Sequence, residues 1–138
     1  MVHDSMKKGY KANIEQLTTE NTNFRHVLYT AKDCQLVLMT LQPGEEIGLE
    51  AHDEGDQFFR FEQGEGKVII DETDYVVGDG DVVIVPMGAR HNVINTSTTE
   101  ALKLYTIYAP PHHQDGIVRA TKAEAEADAP EFTGVTTE

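Results

Sequence analysis

The chain has 138 residues, 39% of them apolar and 7% aromatic, which suits one domain with a hydrophobic core of its own. Its 24 acidic and 11 basic side chains leave a net charge of −13, which repels phosphate backbones and anionic lipid, so nucleic acid and membrane surfaces are poor partners. No apolar run nears the roughly 20 residues that cross a bilayer. The opening "MVHDSMKKGYKANIEQ" lacks the apolar stretch of a secretion signal, and Cys34 stands alone, so a cytoplasmic protein without internal disulfides is expected.

Residues 1–22 are polar, end in the "TTENTN" region, and read as an N-terminal arm with an irregular lead-in. Short strands with turn signals between them follow. "HVLYTA" (26–31) and "QLVLMTLQ" (35–42) are joined by a turn at Lys32 and Asp33, and Pro43-Gly44 breaks the second. "GLEAH" (48–52) and "QFFRFEQG" (57–64) flank the acidic "DEGD", which reads as a solvated turn. "GKVIID" (66–71) and "DYVVGD" (74–79) have hairpin spacing, and "DVVIVP" (81–86) is a buried-looking run stopped by Pro86. "HNVIN" (91–95) and "ALKLYTIYA" (101–109) complete nine to eleven strands, with Cys34 placed as core packing at a strand start. An all-β sandwich or barrel is the natural closure, because closing a sheet removes its exposed edges. After residue 110 the character changes. "PPHHQDG" reads first as a surface loop carrying His112 and His113, with a place over the barrel mouth as acid–base groups the alternative. "TKAEAEADA" (121–129) reads as a short helix capped by Thr121, with Lys122 four residues before Glu126. The expected layout is therefore an arm (1–22), a barrel (23–110) and a C-terminal loop and helix (111–138).

In a strand, alternate side chains share a face. Glu50 and His52 then lie together, as do Gln57, Phe59 and Phe61, and later His91, Val93 and Asn95. If these faces turn inward, Glu50, His52, Gln57 and His91 surround one point. Phe59, Phe61 and Val93 would line the space beside it. Arg60 is out of phase with Gln57, and Arg90 with His91, so both should point outward. Tyr105 and Tyr108 fall on opposite faces, leaving one of them able to reach the interior.

The intervals resemble those of the cupins. That family's first motif is a glycine, five residues, His-x-His, three or four residues, a glutamate, six residues and a glycine. Here it reads Gly44, Glu50-Ala51-His52, Gln57, Gly64, with the spacing kept and two of the three ligand types changed. The second motif reads Gly80, Pro86, Gly88, His91, Asn95 without departure. The resemblance spans residues 34–108 and implies a double-stranded β-helix, or jelly-roll, holding one divalent transition metal (Mn, Fe, Zn, Ni or Co). Carried over, Glu50, His52 and His91 are ligands, and Gln57 stands at the glutamate position as either a ligand or a support behind the ligands. The set keeps one carboxylate and two imidazoles, with an oxygen-bearing amide added, and these donors suit such metals.

Three functions fit that resemblance. One is a sugar or sugar-phosphate isomerase-like enzyme, with the metal as Lewis acid and Glu50 or a nearby side chain moving the proton. Another is a metal-dependent dioxygenase built on Glu50, His52 and His91. A third is a non-catalytic cupin that binds a small molecule. A homodimer is the expected assembly.

Overall fold

The computed structural model describes residues 6–138, so the first five residues of the expected arm lie outside the described residues. The lead-in is not irregular throughout: it holds a helix, α1 (Ile14–Glu20), whose N-cap Asn13 accepts the backbone N–H of Gln16. Nine strands follow among the described residues: β1 (Arg25–Thr30), β2 (Gln35–Leu41), β3 (Asp56–Gln63), β4 (Glu65–Ile70), β5 (Thr73–Gly78), β6 (Val82–Val85), β7 (His91–Asn95), β8 (Leu102–Ala109) and β9 (Val118–Arg119). The helix α2 (Lys122–Ala127) ends the series with a full capping box between Thr121 and Glu124.

The strands form two antiparallel sheets, ordered β6-β3-β8-β2-β1-β9 and β5-β4-β7. Between β3 and β8 the chain crosses from one sheet to the other four times (β3 to β4, β5 to β6, β6 to β7 and β7 to β8), which is the double-stranded β-helix of a jelly-roll. Alternation drives this packing. In β8, Leu102, Leu104, Thr106 and Tyr108 are buried, while Lys103, Tyr105 and Ile107 are half-buried on the other face. The inward residues of both sheets, including Met39, Leu41, Phe59, Phe61, Val68, Val93 and Leu104, form one core. Each such large side chain contributes about 1.5–3 kcal/mol by leaving water.

Two expected elements differ. "GLEAH" is not a strand: Gly48 has a φ of +115°, and the segment is tied to β7 by the isolated bridge of Glu50 to His91 and by the Gly48 N–H, which donates to Asn92 Oδ1 at 2.9 Å. Cys34 is exposed in the turn between β1 and β2 and packs in no core. The added strand β9 pairs with β1, so the C-terminal segment extends the larger sheet. Arg60 and Arg90 lie on the outside, Arg60 at 3.4 Å from the Glu62 carboxylate.

Candidate metal centre

Three elements converge at one end of the barrel. His91 opens β7, and its ring is 2% exposed, held by an Nδ1 contact of 3.1 Å to the Ala89 carbonyl. That contact makes Nδ1 the donor and leaves the Nε2 lone pair free, as metal-bound imidazoles require. The segment carrying Glu50 is fastened to β7 by a reciprocal pair, Glu50 N–H to His91 O (2.9 Å) and His91 N–H to Glu50 O (2.8 Å). Gly88 N–H donates to the His52 carbonyl at 2.9 Å, so the turn before β7 fixes His52 as well. Glu50 and His52 do fall on one side, although through these bridges and not through strand pleating.

The Glu50 carboxylate, His52 and His91 each offer a ligand atom within 4.8 Å of the others, a group that could hold a metal ion. Nε2 of His52 lies 3.8 Å from Oε1 of Glu50. Gln57, on β3 and 2% exposed, donates from Nε2 to the Thr106 hydroxyl at 3.0 Å, which leaves its Oε1 free. The Nε2 atoms of His52 and His91 and Oε1 of Gln57 are all buried without a hydrogen-bond partner. Buried polar atoms without partners cost roughly 1–3 kcal/mol each. Two imidazole lone pairs and an amide oxygen beside a carboxylate therefore fit a divalent transition metal on the chemistry of the donors alone. Burial, reinforced by the neighbouring His112 and His91, lowers the His52 imidazole to about 4, so at neutral pH it is an unprotonated donor.

Above the cluster the structure departs from the sequence reading. His112 and His113 are not on a surface loop. Gln35, fully buried on β2, donates to the His113 carbonyl (2.7 Å) and accepts from the backbone N–H of His112 (3.2 Å) and His113 (3.0 Å). The prolyl loop is thereby drawn over the barrel mouth. The His112 ring lies 4.6 Å from that of His52 and stacks on Tyr108 at 5.4 Å. His113 Nε2 is 3.2 Å from the Tyr108 hydroxyl, so Tyr108 is the tyrosine that reaches the interior. Burial pushes the Tyr108 phenol up, with the Glu50 carboxylate adding to the effect.

Two clefts open here. One, of about 450 Å³, is lined by His52, the Asp53–Asp56 turn, Tyr108, Pro110, Pro111 and His112. The other, of about 410 Å³, is lined by Arg25, Glu50, His112, His113 and residues of α2. His112 and Glu131 border both. Phe59, Phe61 and Val93 line neither cleft. They are buried in the core, with the Phe59 ring packed 6.2 Å from that of His91. Asp56 is exposed but not idle: its Oδ1 accepts the Met87 N–H at 2.8 Å and anchors the turn before His91. The sequence reading passed over Arg25, Gln35 and Thr106. For Arg25 a signal existed, since it is in phase with Val27, two residues on.

A family model described as a cupin domain matches residues 37–108. The chain is a cupin. It is 46% identical over 133 residues to the uncharacterized protein YrkC of Bacillus subtilis, covering 92% of this cupin and 71% of that protein. It is 36% identical to the uncharacterized protein L612 of Acanthamoeba polyphaga mimivirus, over 84% of this chain and 74% of the other. The crystal structure of BH2720 from Bacillus halodurans superposes with a TM-score of 0.85 at 42% identity, covering 92% of this cupin and all of that chain. KdgF from Halomonas, at 17% identity and a TM-score of 0.58, shares the fold. No helix among the described residues is long and apolar enough to cross a membrane.

Proposed function

We propose that this cupin binds one divalent transition metal between Glu50, His52 and His91, with Gln57 Oε1 as a further oxygen donor, and acts on a small oxygenated substrate. The observation that carries the reading is that the buried, unpartnered Nε2 atoms of His52 and His91 belong to residues grouped with the Glu50 carboxylate, while Gln57 Oε1 is likewise buried and unpartnered. The metal would supply Lewis acidity, polarising a carbonyl or hydroxyl oxygen of the substrate. The chain's own residues do the rest. His91 is oriented by Ala89, Gln57 by Thr106, and the floor of Phe59 and Val93 keeps water from the rear. Glu50, whose side chain is one-third exposed, borders a cleft and is the carboxylate placed to carry a proton. An isomerase-like reaction is the form of chemistry this supports first.

A dioxygenase is the second reading. Glu50, His52 and His91 make a two-histidine, one-carboxylate set, the arrangement that leaves positions open on Fe(II). The lone Cys34 suits a reducing compartment, and we place the protein in the cytoplasm.

Elemental analysis by mass spectrometry of untagged protein, purified without added metal, tests the reading. About one transition-metal ion per chain is expected, falling at least tenfold in the Glu50→Ala, His52→Ala double variant. Zinc or manganese keeps Lewis-acid chemistry ahead, and iron moves the dioxygenase forward. Failure to take up any of these metals on reconstitution would leave a non-catalytic binding module.

A further inference from the structure

Arg25 is the first residue of β1 and is only 6% exposed, on the inward face with Val27 and Thr30. A guanidinium is always charged, and burying it without a counter-ion is expensive. Yet no carboxylate among the described residues pairs with Arg25, and its Nε–H is buried without a hydrogen-bond acceptor. Its one visible support is the face of Phe24, 5.3 Å below the guanidinium, which stabilises a cation without consuming any of its donors. The donors are thus left for something else. Arg25 lines the cleft that also holds Glu50 of the metal cluster.

We propose that Arg25 is the carboxylate-binding residue of this cleft, and that the protein takes a small organic acid whose carboxylate sits on the guanidinium while another of its oxygens faces the Glu50–His52–His91 cluster. The planar fork of an arginine matches the two oxygens of a carboxylate, and such a bidentate pair is among the stronger hydrogen-bonded contacts. The rest of the wall argues for a monoanion over a phosphate. Lys122 is the one other cation lining the cleft, whereas Glu50, Glu126 and Glu131 line it as carboxylates, so each added negative charge meets repulsion. The volume of about 410 Å³ is at the small end of ligand cavities, which run from roughly 300 to 1,000 Å³. The positive charge of Arg25 is felt at the mouth itself: it helps keep His113 neutral and opposes the rise at Tyr108. The inference rests on the metal reading for how the acid is oriented, and on Arg25 alone for how its carboxylate is held.

The Nε–H resonance of Arg25, assigned through the backbone in 15N-labelled protein, reports on the contact directly. Glycolate, lactate and inorganic phosphate are titrated at constant ionic strength into zinc-loaded and metal-free protein. Glycolate or lactate is expected to shift the resonance, and to bind at least tenfold more weakly to Arg25→Met by calorimetry, while phosphate leaves the resonance in place. A resonance that no carboxylate moves, one moved by phosphate alone, or equal affinity in the variant overturns the proposal. Should Arg25→Met not fold, the wild-type resonance still decides. Normal zinc uptake without any shift defeats the Arg25 inference alone, whereas a shift in protein that takes up no metal defeats the metal reading and leaves Arg25 standing.

Discussion

His113 sits inside the mouth of the barrel at 5% exposure, bonded through Nε2 to Tyr108. Burial, together with the charge of Arg25, lowers its imidazole from the ordinary 6.5 to about 2. The folded state therefore binds fewer protons here than the unfolded chain does. The stability this gives is complete above pH 6.5 and declines as the pH falls from there toward 2, by up to about 1.4 kcal/mol per pH unit. Urea unfolding of chelator-treated protein between pH 7 and 4.5 should show a falling free energy. The slope of His113→Gln should be shallower by close to one proton's worth, and an unchanged slope would place the acid sensitivity elsewhere. Which residues were legible follows from distance along the chain. Glu50, His52, Gln57 and His91 could be picked out because motif intervals are local, although the two-residue period that grouped Glu50 with His52 does not hold in a segment that is not a strand. His112 and His113 could not, because Gln35, which fixes their place, lies 77 and 78 residues away. Arg25 needed only the period counted backward from Val27.

At the scale of elements, strands were visible wherever apolar residues alternate, and hidden where alternation stops. "GLEAH" looked like a strand by composition, but the left-handed backbone at Gly48 turns the chain out of the sheet. The helix α1 spans only seven residues and carries three with β-branches, Ile14, Thr18 and Thr19, so its sequence gives little helical signal. It forms because Asn13 caps it and the outer sheet face covers Thr18, with Lys103 Nζ reaching the Thr19 carbonyl at 2.7 Å. The motif glycines make the converse point, since their spacing was plain but their individual demands were not. Gly64 has a φ of +93°, and a Cβ there would stand 2.4 Å from the Ala101 carbonyl oxygen. Gly80 has a φ of +90° with nothing within 4 Å. Both substitutions with alanine strain the backbone, at about 1–2 kcal/mol. Only Gly64→Ala also forces β8 away from the β3–β4 corner, so its total loss should be about 3 kcal/mol or more. Denaturant midpoints for the two variants check the ordering, and equal losses would show that the β8 contact yields freely.

At the scale of the whole molecule, the feature that bears on assembly is the outward side of the larger sheet. Ile84, Phe58, Ile107 and Leu36 stand in register across β6, β3, β8 and β2, an apolar row on the face opposite the core. Ile84 is 62% exposed and the others are half-buried, while Val82, on the same outer face of β6, is 47% exposed. Among the described residues the outer edge of β6 has no partner strand, and an exposed apolar edge strand invites association. A second copy is the occupant we propose, because a row that runs straight across a sheet can meet itself about a two-fold axis. A standard interface of about 800 Å² per partner would take roughly a tenth of the 7628 Å² surface. The net charge of −13 per chain opposes such pairing, so the dimer should tighten as salt screens that repulsion. Sedimentation equilibrium should give twice the 15.3 kDa chain mass at tens of micromolar protein, and Ile84→Glu should return the monomer mass. Because Ile84 points away from the interior, the same variant should keep the wild-type metal content. A wild-type chain that sediments as a monomer at every salt concentration would remove the dimer, and loss of metal in Ile84→Glu would mean that the outer face and the metal centre are coupled through β6.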